Sequence, residues 1–246
     1  MPKKFVLQVE DLTVAFDGFK AVDGLNFYLE SDALHCVIGP NGAGKTTLLD
    51  MICGKTKPTS GKIYFKNTDI TDLMEYQITR MGIGRKFQTP SVYDQLTVFE
   101  NLEISNLNPQ GVLGSLFFKR TDLITQKVRE VANKIFLGDH LDDTAAILSH
   151  GQKQWLEIGM LLMHDPELIL LDEPVAGMSA KEREKTAELL NKISQGRSII
   201  VIEHDMAFVK MVAKKVTVLH QGKLLAEGTL EKVQEDEQVK QVYLGH

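Results

Sequence analysis

The run Gly39-Pro40-Asn41-Gly42-Ala43-Gly44-Lys45-Thr46-Thr47 limits the possible folds of this chain more than any other feature. It fits G-x-x-x-x-G-K-[ST], with the apolar run Leu34 to Ile38 before it and a helical period through Leu48, Leu49 and Ile52 after it. A strand, a tight loop and a helix are therefore predicted in that order. Glycines let the loop backbone bring its N–H groups close to an anion. The helix N-terminus adds unpaired donors and the positive end of its dipole. In such a loop Lys45 reaches the β- and γ-phosphates of a nucleoside triphosphate, and the Thr46 hydroxyl ligates magnesium.

With 246 residues, 43% apolar and 25% charged, the chain can build one large α/β domain or two small ones. A net charge of −5 argues against non-specific nucleic-acid binding. Cys36 and Cys53 are the only cysteines, without metal spacing, and read as reduced core residues. No apolar run approaches the roughly 18 residues of a membrane span. Met1-Pro2-Lys3-Lys4 leads into a strand pattern, so no signal peptide is expected.

Residues 5 to 16 alternate as a strand does, Asp17-Gly18 reads as a turn, and Leu25 to Glu30 and Gly61 to Phe65 read as further strands. This opening is antiparallel in character, with the phosphate loop set inside it. Composition then turns helical. Thr97-Val98-Phe99-Glu100 is a capping box, and Thr121 to Leu137 carries a helical period. Between them, Asn108 to Arg120 holds Leu113, Leu116, Phe117 and Phe118, expected either to pack on the domain or to form a contact surface. From Leu148 helices and apolar strands alternate, which indicates a mostly parallel sheet. A second capping box is expected at Ser179-Ala180-Lys181-Glu182.

Leu168 to Leu171 is a buried-strand pattern ending at Asp172 and Glu173, where a parallel sheet presents ligands. The first carboxylate suits a metal, and the second suits an attacking water. Ser149, in Leu148-Ser149-His150-Gly151-Gln152, reads as the N-cap of a helix to about His164 and so as a second anion-binding helix end.

The phosphate loop, the later L-S-x-G-Q and the apolar-D-E strand beyond it together resemble the ATP-binding cassette (ABC) ATPases over essentially the whole chain. The resemblance implies a P-loop NTPase (RecA-like) α/β core with a mostly parallel sheet, an antiparallel β subdomain and an inserted α-helical subdomain. Residues 1–88 and 166–246 would form the nucleotide-binding core and 89–165 the helical subdomain. It implies ATP and Mg2+ as ligands. Gly39 to Thr47 (Gly39, Pro40, Asn41, Gly42, Ala43, Gly44, Lys45, Thr46, Thr47) would cradle the phosphates. Phe16 would stack on adenine and Val22 would lie by the base. Thr46, Asp172 and Gln88 would attend the metal, Glu173 would be the catalytic base, and His204 would sense the γ-phosphate. Ser149, Gly151 and Gln152 would act on the ATP of a second copy, placed head to tail. Two departures stand out: His150 replaces the more usual glycine, and Ala176-Gly177-Met178-Ser179 replaces S-A-L-D.

Finer resemblance lies in LSHGQKQWLEIGMLL at 148–162, DEPVAGMS at 172–179, VIEHDM at 201–206, VTVLHQGKLLAEGTL at 216–230 and Val242-Tyr243-Leu244-Gly245. These resemble the ATP-binding subunits of bacterial branched-chain amino acid and urea importers, with the urea branch favoured by the Val175–Met178 and Ser149–Gln152 stretches. The implied partners are a second ATP-binding subunit, identical or not, transmembrane permease subunits and, indirectly, an extracytoplasmic substrate-binding protein. Nucleic acid is not expected. The implied location is the cytoplasmic face of the inner membrane, held through the permease, with no regulatory domain appended. The alternatives are a lipid or lipopolysaccharide export ATPase and a soluble ABC ATPase of DNA repair or translation.

Overall fold

Continuous apolar runs make central strands of a covered sheet, and alternating runs make strands with one solvated face. Both kinds occur here. The computed structural model describes residues 5–86, 92–106 and 121–244. Two compact units form: Met1–Arg85, Glu167–Pro174 and Leu190–His246 make one, and Lys86–Pro166 with Val175–Leu189 make the other. The helical stretch expected at 89–165 therefore shares its unit with 175–189.

The first unit holds two sheets. β1 (Phe5–Phe16), β2 (Phe19–Glu30), β4 (Ser60–Phe65) and β5 (Thr68–Asp69) form an antiparallel sheet in the order β2-β1-β4-β5. β1 buries Leu7, Val9, Leu12 and Val14, with a register break between Val9 and Leu12. β3 (Leu34–Ile38) does not join this sheet although its sequence neighbours do. All five of its residues are buried, so it needs cover on both faces. It is third in a six-stranded sheet, β10-β9-β3-β8-β7-β6. The other members are β6 (Ile83–Lys86), β7 (Leu168–Asp172), β8 (Ser198–Ile202), β9 (Lys215–His220) and β10 (Lys223–Gly228). β3 runs parallel to β8 and β9, β8 runs parallel to β7, and the β9–β10 hairpin is antiparallel. β6 has no strand signature in the sequence.

Helix α1 (Lys45–Ile52) buries Leu48, Leu49, Met51 and Ile52 in a core shared by both sheets. Each such side chain contributes about 1.5–3 kcal/mol. That burial anchors the helix whose N-terminus closes the phosphate loop. Short helices α2 (Glu75–Arg80), α7 (Met206–Val212), α8 (Leu230–Glu235) and α9 (Glu237–Leu244) complete the unit.

The second unit contains α3 (Val98–Ser105), α4 (Asp122–Lys134) and α5 (His150–Leu162), with the first turns of α6 (Ala180–Ile193). The Thr97 box forms as expected: Thr97 accepts from the Glu100 N–H at 3.1 Å, and Glu100 accepts from the Thr97 N–H at 2.8 Å. Asn101 is fully buried because its amide donates to the carbonyls of Tyr93, Leu96 and Thr97. Trp155 on α5 donates to Thr186 on α6 at 2.8 Å, which ties those two helices together. Among the described residues no helix is long and apolar enough to cross a membrane.

Candidate nucleotide-binding site

The loop between β3 and α1 takes a shape that side chains would forbid. A Cβ on Gly39 would lie 2.2 Å from the Leu219 carbonyl oxygen, and one on Gly44 would lie 2.5 Å from that of Ala21. Gly44 is also the N-cap of α1, in the left-handed region at φ 97°. It supplies no side-chain cap, and the first turn of α1 has no acidic residue. An anion is thus the natural partner for the N–H groups there. The loop is braced from outside, where the Gly222 N–H donates to the Ala43 carbonyl at 3.1 Å. Lys45 is buried and donates to the loop's own carbonyls, Gly39 at 2.8 Å and Pro40 at 3.0 Å. Burial lowers its pKa, opposed by the charges of Glu173 and Asp172.

Asp172 ends β7 at 1% exposure, and no hydrogen bond of ordinary geometry reaches either carboxylate oxygen. Burial raises its pKa; the Thr46 hydroxyl and the Arg85 guanidinium, 3.8 Å away, act against that. Such a carboxylate beside an exposed hydroxyl fits a hard cation that prefers oxygen ligands. Among the described residues no cluster of three or more His, Cys, Asp or Glu forms a metal cage. Magnesium here would be held by Thr46 and Asp172 and completed by phosphate oxygens and water.

Glu173 follows in a left-handed backbone at φ 47°, its N–H donating to the Ile202 carbonyl at 3.0 Å. The change of backbone region re-aims its side chain relative to Asp172. Its carboxylate, 30% exposed, lies 3.6 Å from Nδ1 of His204, which is 66% exposed. The backbone N–H groups of His204 and Asp205 are both gathered by the buried Glu203 carboxylate, at 3.1 and 3.4 Å. That pins the turn carrying His204.

In the second unit Ser149 is the N-cap of α5. Its hydroxyl accepts from the Gln152 N–H at 3.2 Å, and the Gln152 side chain accepts from the Ser149 N–H at 2.9 Å. His150, the departure from glycine, bonds the Ala176 carbonyl at 3.0 Å and so ties this motif to the 176–179 turn. Ser179 caps α6, with Glu182 as the reciprocal partner at 2.9 Å.

The structure thus brings Lys45, Thr46, Asp172, Glu173 and His204 together in the first unit. Ser149, Gly151 and Gln152 lie in the second. Phe16 is half-exposed at the end of β1. Val22 is fully buried behind the loop, its Cγ2 within 3.2 Å of a Cβ placed on Gly44, and as placed offers no surface to a base. Gln88, and the apolar run Leu113 to Phe118, lie outside the described residues. Two residues that motif reading passed over are Arg85, a buried cation inside β6, and Glu182, which reads from sequence only as a helix cap.

A family model described as ABC transporter matches residues 22–176, and one described as branched-chain amino acid ATP-binding cassette transporter matches residues 223–246. A probable branched-chain amino acid transport ATP-binding protein of Methanocaldococcus jannaschii is 34% identical over 250 residues, covering 98% of this chain and 97% of that protein. The ADP conformation of an ATP-binding cassette of an ABC transporter superposes with TM-score 0.88 at 32% identity, covering 98% of this chain and 99% of that one. A dimeric bacterial ABC transporter cassette gives TM-score 0.79 at 25% identity, covering 91% of this chain and 98% of that one.

Proposed function

The chain belongs to the ABC transporter ATPase family, whose cassettes hydrolyse ATP to power transport, and we propose that it drives a branched-chain amino acid importer as a head-to-tail dimer. Its branched-chain amino acid transport relatives support that cargo. Urea, the reading suggested by the Val175–Met178 and Ser149–Gln152 stretches, is the second candidate. The dimer docks on permease subunits at the cytoplasmic face of the membrane, and an extracytoplasmic binding protein delivers the cargo.

The observation behind the catalytic part is the division of labour at the end of β7. Asp172 is buried and open to a metal, while Glu173 is turned into the left-handed region, partly exposed and beside His204. Thr46 and Asp172 would hold magnesium, which would supply positive charge against that of the phosphates. Glu173 orients a water and takes its proton as that water attacks the γ-phosphorus and ADP leaves. His204 holds the γ-phosphate, and Lys45 leaves the Gly39 and Pro40 carbonyls for the β- and γ-phosphates. Gln88 attends metal and water, and Phe16 stacks on the base. The uncapped N-terminus of α1 and the Ser149 end of α5 belong to different compact units, and each suits a phosphate. A facing copy therefore completes the cage around each γ-phosphate.

Mixing Lys45→Ala and Ser149→Arg copies tests the shared site. The heterodimer concentrates both lesions in one site, so part of the ATPase activity returns. A purified heterodimer as inactive as either parent overturns it. Uptake of labelled leucine against labelled urea by the reconstituted complex decides the cargo.

A further inference from the structure

Arg85 is a buried guanidinium, its side chain 5% exposed, on a strand that no motif marks. One arm is committed: Nη1 donates to the Asp50 carboxylate on α1 and to Cys53 Sγ, 3.1 Å away, at the end of that helix. The other arm, Nη2, faces Asp172 Oδ2 at 3.8 Å. That distance is close enough for charge attraction in a buried setting and too long for a hydrogen bond. Asp172 is thereby held without either oxygen being consumed.

We propose that Arg85 is a positioning residue for magnesium, a two-armed strut that fixes the Asp172 carboxylate to the helix bearing Thr46 and leaves both its oxygens open to the metal. The alternative cation for Asp172 is Lys45, on whose ammonium the Asp172 charge acts. A carboxylate without its guanidinium would turn to Lys45, and both groups would be lost to the nucleotide. Arg85 keeps the two apart in function: Asp172 for the metal, Lys45 for the phosphates. Lysine cannot replace it fully, because one ammonium cannot serve Asp50 and Asp172 together. The inference rests on the magnesium assignment made above.

The test is ADP binding by calorimetry, with magnesium and with a chelator, for wild type, Arg85→Met and Arg85→Lys. The gain in affinity on adding magnesium should fall about tenfold in Arg85→Met, while chelated ADP binds within about twofold of wild type. Arg85→Lys should keep part of the gain. An undiminished gain in folded Arg85→Met overturns the proposal, and so do equal losses with and without magnesium, which would make Arg85 a structural clamp only. If Arg85→Met does not fold, Arg85→Lys decides: a reduced gain supports the strut, and an intact gain overturns it. A wild type that shows no magnesium gain removes the magnesium assignment itself, and this inference falls with it.

Discussion

The Ser149 hydroxyl donates to Glu182 Oε1 across 3.0 Å, so the capping serine of α5 is engaged by a carboxylate of its own chain. The same oxygen lies 2.4 Å from where a Cβ on Gly151 would stand. A resident anion therefore sits on the helix end proposed to receive the partner copy's γ-phosphate. Glu182 is itself held by Ser179, whose hydrogen bonds lower its pKa and keep it ionised.

Glu182→Gln keeps the cap geometry and removes the competing charge. In a Glu173→Gln background, the ATP concentration at which dimers form should fall by about 3- to 10-fold, the worth of one ordinary hydrogen bond. Light scattering on a sizing column measures it. An unchanged or higher midpoint would show that Glu182 is a cap and no competitor.

Glu173→Gln should bind ATP normally while turnover falls on the order of 10²-fold or more. Glu173→Gly should be equally inactive. Relief of left-handed strain, about 1 kcal/mol, offsets the similar entropic cost of glycine, so its Tm stays within about 2 °C of wild type. Near-normal turnover in either variant would move the base role elsewhere.

Gly42 and Gly44 both have positive φ, 77° and 97°, but only Gly44 is crowded. Gly42→Ala should cost about 1–2 kcal/mol from backbone strain alone. Gly44→Ala adds the collision with the Ala21 carbonyl and should cost about 3 kcal/mol or more, with nucleotide binding lost. Urea denaturation of the two variants checks the order, and equal losses would contradict the steric account.

His35 is buried in β3 and bonds Thr217 Oγ1 at 2.7 Å; Thr217 in turn donates to Glu227 at 2.9 Å. Thr217's proton being committed, His35 must be the donor through Nε2–H. Burial lowers its pKa from 6.5 to about 4. Between those values the unfolded chain binds the proton and the folded chain does not. Stability present above pH 6.5 is thus lost as pH falls, by about 3 kcal/mol near pH 4. His35→Gln should remove that part of the acid dependence in urea unfolding, and an identical pH slope would refute the assignment.

Much of this was legible from residue order alone. The glycines at 39, 42 and 44, the lysine after them and the Asp172-Glu173 pair are local patterns, because a tight turn or a strand end needs particular residue types at fixed spacing. The Thr97 and Ser179 capping boxes and the Ser149 N-cap were readable for the same reason: cap and partner lie within one helical turn.

The sequence by itself determined the glycine-rich loop, the elements around it and the residue types there that suit a phosphate. Only tertiary structure decided where those elements go. β3 leaves its antiparallel neighbours because a strand buried on both faces gains most at the centre of a covered sheet. Arg85 meets Asp50 and Asp172 because β6 and β7 join the same sheet as that loop strand. Glu182 meets Ser149 because α5 and α6 share one unit. No periodicity encodes these long-range meetings. They follow from which surfaces must be buried together, and charge then has to be satisfied wherever burial puts it.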